Sequence, residues 1–208
     1  MFDVTDRLIV IIGGGTVAAR KANGILDAGT ARIRVISPDF APAMPLSVER
    51  IQKQYASTDL AGANLVFAAT DSEHVNNAVV ADAKSAGIWV CRADGSEELP
   101  GDFVTPAKFQ QGSVMVTVSA GSAALSVKIR DGIEKRFDPA WSAMADAMTA
   151  LRPMVLASNL DATARRDLFR ELAGDDAVNI LTTRGLDELA SWLKDRITMQ
   201  GYKADAGL

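Results

Sequence analysis

The sequence holds one cysteine and one histidine in 208 residues, and each scarcity removes a class of chemistry. A lone Cys91 cannot close an internal disulfide or build a multi-cysteine zinc site. A lone His74 excludes any centre that needs two imidazoles. Long apolar runs are also missing. Leu8–Ile12 and Leu65–Ala69 fall far short of the roughly 20 residues that span a bilayer. Nor is there an excess of positive charge: 22 Lys and Arg stand against 26 Asp and Glu, a net −4 that gives no electrostatic footprint for nucleic acid or anionic lipid. No charged-then-apolar leader opens the chain, because Leu8–Ile12 runs straight into glycines. What is present is ordinary for a globular protein, at 48% hydrophobic and 23% charged residues. The expectation is a soluble, cytoplasmic α/β protein with one full domain and a smaller appendage.

Leu8–Ile12 is a short, continuous, β-branched apolar run, the pattern of a strand buried on both faces. Gly13-Gly14-Gly15 ends it, Val17–Leu26 has helical spacing, and Ile33–Ile36 reads as a second strand stopped by Ser37-Pro38-Asp39. Strand, tight turn, helix and strand in about 30 residues make a βαβ unit and therefore a parallel sheet. Further strands are expected at Gln52–Tyr55, Leu65–Ala69 and Ile88–Cys91, with a helix over Val75–Ala86. Phe103–Phe109 and Val114–Ser119 read as extended segments around a turn at Gln110–Ser113. Beyond Gly121 the pattern is helical: Ala123–Phe137, Trp141–Ala157 interrupted at Pro153, Asp161–Ala173 and Leu186–Met199. In the second of these, Trp141, Met144, Met148 and Leu151 form a stripe that reads as helix-packing core. A nucleotide-binding unit is thus expected over residues 1–110.

Gly13-Gly14-Gly15-Thr16-Val17-Ala18 fits G-x-G-x-x-G/A in the context that gives that motif meaning, after a strand and opening a helix. Gly13 permits the tight turn, Gly15 lets backbone N–H groups approach a pyrophosphate, and Ala18 lets the helix pack close to the strand. The acid expected about 20 residues on, for the ribose hydroxyls, is Asp39. Between Ser37 and Pro45 there is no arginine to hold a 2′-phosphate, which favours NAD over NADP. A second cluster, Thr70-Asp71-Ser72-Glu73-His74-Val75-Asn76, follows the strand at Leu65–Ala69, and Asp94 follows the next strand at the same sheet edge. Helix capping by Thr70 or Asp71 is the plain alternative for the first group.

Together, Gly13–Lys21, Ala68–Asn76, Ala93-Asp94 and Asp102–Ala107 resemble the precorrin-2 dehydrogenase family, the dehydrogenase module of siroheme synthases, some members of which are also sirohydrochlorin ferrochelatases. The similarity extends through Val114–Glu134 and, more loosely, to about Ala173. The resemblance implies a Rossmann domain, a dimerisation region over 111–138 and a helical C-terminal domain over 139–208, assembled as a homodimer. It implies NAD-dependent oxidation of precorrin-2 to sirohydrochlorin, in siroheme or cobalamin synthesis, with chelatase activity as a further option. Cofactor contacts carry over to Gly13, Gly14, Gly15, Thr16, Val17, Pro38, Asp39, Thr70 and Asp71, and the catalytic aspartate to Asp94. Substrate contacts are expected at Asn76, Ser119, Gly121 and Ser122. No fixed metal site is implied.

Removing two hydrogens sends a hydride to nicotinamide and a proton to a base, a role that suits a carboxylate in the crevice. The substrate's many carboxylates call for cations, with Arg92, Lys108, Lys128 and Arg130 as candidates. Two departures stand out. Ser119-Ala120-Gly121-Ser122-Ala123 is shorter than the family's serine- and glycine-rich loop and lacks its proline, and Cys91 replaces the asparagine usual three residues before the aspartate. Bifunctional siroheme synthases add a methyltransferase domain, so the expectation from this length is a stand-alone dehydrogenase-type protein. Other classes fail on motif. Tyr55 is followed four residues later by Asp59 rather than by the lysine of short-chain dehydrogenases, and no Gly-x-Ser-x-Gly elbow exists for a serine hydrolase. The remaining alternative is a non-catalytic NAD-sensing module, which shares Gly13–Ala18 but has no use for Asp94 or Asp102–Ala107.

Overall fold

The computed structural model describes residues 3–29, 32–95 and 98–205. It parts into two compact units between Thr105 and Pro106, a little ahead of the boundary expected near residue 110. The first unit runs β1 (Leu8–Ile12), α1 (Thr16–Leu26), β2 (Arg32–Ser37), β3 (Glu49–Gln52), a 3₁₀ turn at Ser57–Leu60, β4 (Leu65–Ala68), α2 (Glu73–Ser85) and β5 (Trp89–Arg92). Its five strands form one parallel sheet in the order β3-β2-β1-β4-β5. Every residue of β1 is buried. Ile9 and Ile11 face Ala18, Ala19 and Ala22 of α1, while Val10 and Ile12 face Val79, Val80 and Ala83 of α2. A run apolar at every position, rather than at alternate ones, is what a sheet covered on both faces requires.

The strand expected at Gln52–Tyr55 lies instead at Glu49–Gln52. Its residues are exposed or half-buried, so no apolar pattern marks it. Register with β2 places it, assisted by the 2.9 Å ion pair between Arg34 and Glu49. At the opposite edge β5 is sealed by Asp102: its backbone N–H donates to the Val90 carbonyl at 2.7 Å, and its carboxylate accepts from the Val90 N–H at 2.9 Å. Gly101 makes this approach possible, since a Cβ there would lie 2.7 Å from the Val90 oxygen. Phe103 then packs edge-on against Phe67, with ring centroids 5.6 Å apart. The start of the Asp102–Ala107 segment is thus an edge closure, one of the ways sheets protect unpaired strands.

The second unit begins with the hairpin β6 (Ala107–Gln111) and β7 (Val114–Val118), followed by α3 (Ala123–Glu134), α4 (Pro139–Leu156), α5 (Ala162–Leu172), α6 (Asp175–Arg184) and α7 (Leu186–Asp205). Gln110 and Gln111 pair across the hairpin with Met115 and Val114, so the turn is shorter than expected, with Gly112 at φ +55°. Helix α4 runs through Pro153 without a break, flanked by the buried Leu151 and Val155. Burial on either side outweighs the hydrogen bond that proline forfeits. Met144 and Leu151 belong to the core, but Trp141 is 46% exposed and does not. The sequence reading omits α6, which buries only Ala177 fully and so carries little periodicity. No described helix is long and apolar enough to cross a membrane.

Leu168, fully buried among Leu172, Leu189 and Leu193, anchors the helical core. Leu168→Ala is expected to cost about 2–5 kcal/mol in urea unfolding. A loss below about 0.5 kcal/mol would show that this cluster does not hold the helices together.

Candidate active site

At the carboxyl ends of the parallel strands the first unit carries a cleft of about 1050 Å³. It lies where the chain leaves β1 for β2 on one side and takes up β4 on the other, the switch point at which ligands enter such sheets. Its walls include the glycine turn, Pro38, Asp39, Thr70, Asp71 and Asp94. Segments from β1, β2, β4 and β5 therefore meet there although they are scattered through the sequence.

The three glycines have different physical duties. Gly13 sits at φ +120°, and a Cβ would lie 2.3 Å from the carbonyl oxygen of Ala69. At Gly14 a Cβ would lie 1.9 Å from the Asp39 oxygen, while the Gly14 carbonyl accepts from the Ala41 N–H at 2.7 Å. These two glycines let the turn touch both neighbouring loops. Gly15 differs, because a Cβ there would meet nothing within 4 Å. It is the N-cap of α1, and no side chain caps that turn. The uncapped N–H groups and the open space beside Gly15 fit the pyrophosphate of a dinucleotide. Thr16 and Asp39 are exposed at the cleft and Val17 is half-buried.

The opposite wall is a polar network. Thr70 donates from its backbone N–H (3.1 Å) and from its hydroxyl (2.8 Å) to Asn76 Oδ1. The Asn76 amide nitrogen donates to the Thr70 carbonyl at 3.0 Å and to Asp94 Oδ2 at 2.8 Å. Asn76 has no exposed surface and its amide is engaged at both ends, so its side chain supports the wall. Helix α2 is capped by Ser72, whose hydroxyl accepts from the Val75 N–H, rather than by Thr70 or Asp71. Asp71 is exposed at the cleft.

Arg92 also departs from expectation. Its side chain is 2% exposed, and it forks onto Asp94, from Nε to Oδ1 at 2.6 Å and from Nη2 to Oδ2 at 3.0 Å. It is therefore not offered to a ligand's carboxylates. Those hydrogen bonds push its own pKa above the usual arginine value. Arg130 folds back on Asp131 and the Lys108 carbonyl, while Lys108 and Lys128 are exposed. Cys91 is buried, which raises its thiol pKa and suits a packing residue. Nearby Lys21 donates to the Thr105 hydroxyl, and burial lowers its pKa.

Ser119, Gly121 and Ser122 belong to the second unit, whereas the cleft is lined by residues of the first. Ser122 caps α3 by accepting from the Leu125 N–H. The buried Ser126 accepts from the Ala120 N–H and donates to the Ser122 carbonyl, each at 2.9 Å. That tie pins the shortened loop. Tyr55 also lines the cleft, a place the sequence does not mark; its hydroxyl donates to Asp82 at 2.8 Å, and burial raises its pKa. Its place in an edge segment gave no sequence signal. Among the described residues no three His, Cys, Asp or Glu side chains converge as a metal site.

Gly15→Val is expected to leave the thermal transition unchanged while weakening NAD(H) binding at least tenfold, as read by fluorescence titration. The added side chain enters ligand space and not protein. Unchanged affinity would remove Gly15 from the cofactor site.

The family model described as "Putative NAD(P)-binding" matches residues 1–107. A siroheme synthase from Tolumonas auensis is 29% identical over 205 residues, covering 96% of this chain and 43% of that protein. One from Chromobacterium violaceum is 35% identical over 164 residues, covering 76% of this chain and 34% of that protein. The chain thus spans less than half the length of these curated relatives. Its fold is similar to a solved structure of SirC, precorrin-2 dehydrogenase, with a TM-score of 0.74 at 21% identity over 94% of this chain and 98% of that one. The sheet order, the glycine turn and a family match across the whole first unit lead to one assignment: the chain belongs to the NAD(P)-binding family.

Proposed function

We propose that the protein oxidises precorrin-2 to sirohydrochlorin with NAD as the oxidant. The observation that carries this reading is the convergence of Asp94 with the glycine turn on one cleft. Its similarity to siroheme synthases and to the SirC fold supports the choice of substrate. Bound NAD supplies the two-electron acceptor. Gly14, Gly15, Thr16 and Val17 would hold its phosphates by backbone N–H groups, while Gly13, whose own N–H donates to the Ile36 carbonyl at 2.9 Å, shapes the turn; Pro38, Asp39, Thr70 and Asp71 would hold the rest of the dinucleotide along the cleft. Asp94 takes the proton that leaves as the substrate loses its two hydrogens. Ser119, Gly121 and Ser122 contribute to tetrapyrrole recognition.

The protein works as a homodimer through α3. That helix buries only Ser126 fully, while Leu125, Ile129 and Ile133, spaced every four residues, are 48%, 40% and 39% exposed. One exposed apolar stripe offered to its own copy is the simplest isologous interface. Ile129→Glu is expected to halve the mass measured by light scattering; an unchanged mass would place the interface elsewhere.

The reaction is tested anaerobically with precorrin-2 and NAD, following NADH absorbance and the sirohydrochlorin spectrum. Asp94→Ala should lose at least 100-fold in turnover while binding NAD normally. Equal turnover would remove Asp94 from the mechanism, and NAD binding without any wild-type turnover would favour the sensing module. Adding ferrous or cobaltous ion reads chelation separately.

A further inference from the structure

We propose that Arg92 is a positioning residue that sets both the orientation of the Asp94 carboxylate and the pH range in which it accepts a proton. The inference rests on the reading of Asp94 as the base. The two oxygens of Asp94 are gripped by different nitrogens of one planar guanidinium, and Oδ2 also accepts from Asn76. Arg92 is itself held from the far side: Nη1 donates to Asn77 Oδ1 at 2.5 Å and to the Leu99 carbonyl at 3.1 Å. The carboxylate is therefore located by β5, by α2 and by the loop after β5, while its own side chain stays 27% exposed at the cleft. A fork of this kind fixes the plane of a carboxylate as well as its place.

Burying an arginine carries a desolvation cost that an ion pair seldom recovers in full. Here the partner is not a core residue but a group that faces the ligand cleft, so the return is geometric and electrostatic. A cation in direct contact favours the ionised carboxylate. Asp94 thus stays ready to accept a proton in more acidic solution, and a proton that lands on it next to the guanidinium is readily passed on. Other charges bear on the pair. Glu73 of α2 approaches Nη2 at 3.8 Å, Glu98 of the following loop acts on Arg92, and Asp39, Asp71 and His74 line the same cleft. The acidic neighbours oppose the effect of Arg92 on Asp94, while the Asn76 amide adds to it.

The test is the pH profile of kcat/KM for precorrin-2 at saturating NAD, in the wild type, Arg92→Gln, Arg92→Lys and Asp94→Ala. Arg92→Gln keeps donors but removes the charge, so the acid limb should move up by about one pH unit or more. Arg92→Lys keeps the charge but cannot form the fork, so the limb should stay within about half a unit while kcat falls about tenfold. NAD affinity should change less than about twofold in both, which separates this role from simple loss of structure. An unmoved limb in Arg92→Gln, with Asp94→Ala inactive, overturns the proposal while sparing the base. Full turnover by Asp94→Ala overturns the base, and the proposal with it. Should Arg92→Gln fail to fold, an unreduced kcat in Arg92→Lys overturns the proposal.

Discussion

Close backbone contact at the end of β1 is the constraint on which the rest of the first unit depends. The turn after this strand passes so near the Ala69 carbonyl on one side and the Asp39 carbonyl on the other that no side chain fits at Gly13 or Gly14. Those contacts bring the ends of β2 and β4 to the start of α1. They also decide where the cleft opens, because the helix can begin at Gly15 only if the preceding two residues fit between the neighbouring loops. Sheet hydrogen bonding sets the order of the strands, while this contact sets the distance between the loops that leave them.

The second wall is organised by different physics. Thr70, Asn76, Asp94 and Arg92 form a connected set of hydrogen bonds in which the buried members are engaged. Such networks hold geometry well when complete and lose stability sharply when one member is missing. The cleft is therefore bounded by rigid packing on the glycine side and by directed polar bonds on the other. An amide at Asn76 connects the loop after β4 to the loop after β5, so a displacement at Thr70 is passed to Asp94 through a single side chain.

Much of this is legible in the sequence, and the reasons differ by element. β1 and β4 are buried on both faces, so composition alone marks them, and the turn between β1 and α1 announces itself by glycine. β3 lies three residues before the run that its sequence suggests, because an exposed edge strand is placed by register and not by hydrophobicity. α6 carries no clear pattern because it buries little, and Pro153 marks a break by local propensity that the packing of Leu151 and Val155 overrides. Site residues follow the same rule. Positions whose role is backbone shape could be read directly. Arg92 and Asn76 could not, since a charged or polar residue shows its partner only when the fold brings that partner near. Arg92 reads as a cation awaiting an anionic ligand, and the anion it meets is two residues away.

The central place of β1 also bears on how the chain emerges from the ribosome. This strand precedes the other four of its sheet in the sequence, yet one of its two hydrogen-bonded neighbours is β4, which begins only at Leu65. At about 5–20 residues per second, synthesis of the intervening stretch takes several seconds. During that interval an apolar strand has one edge unpaired and one face uncovered, because α2, which covers that face, is translated later still. The parallel arrangement that creates the cleft thus gives the nascent chain a waiting period in which its most hydrophobic segment is available to a chaperone or to another chain.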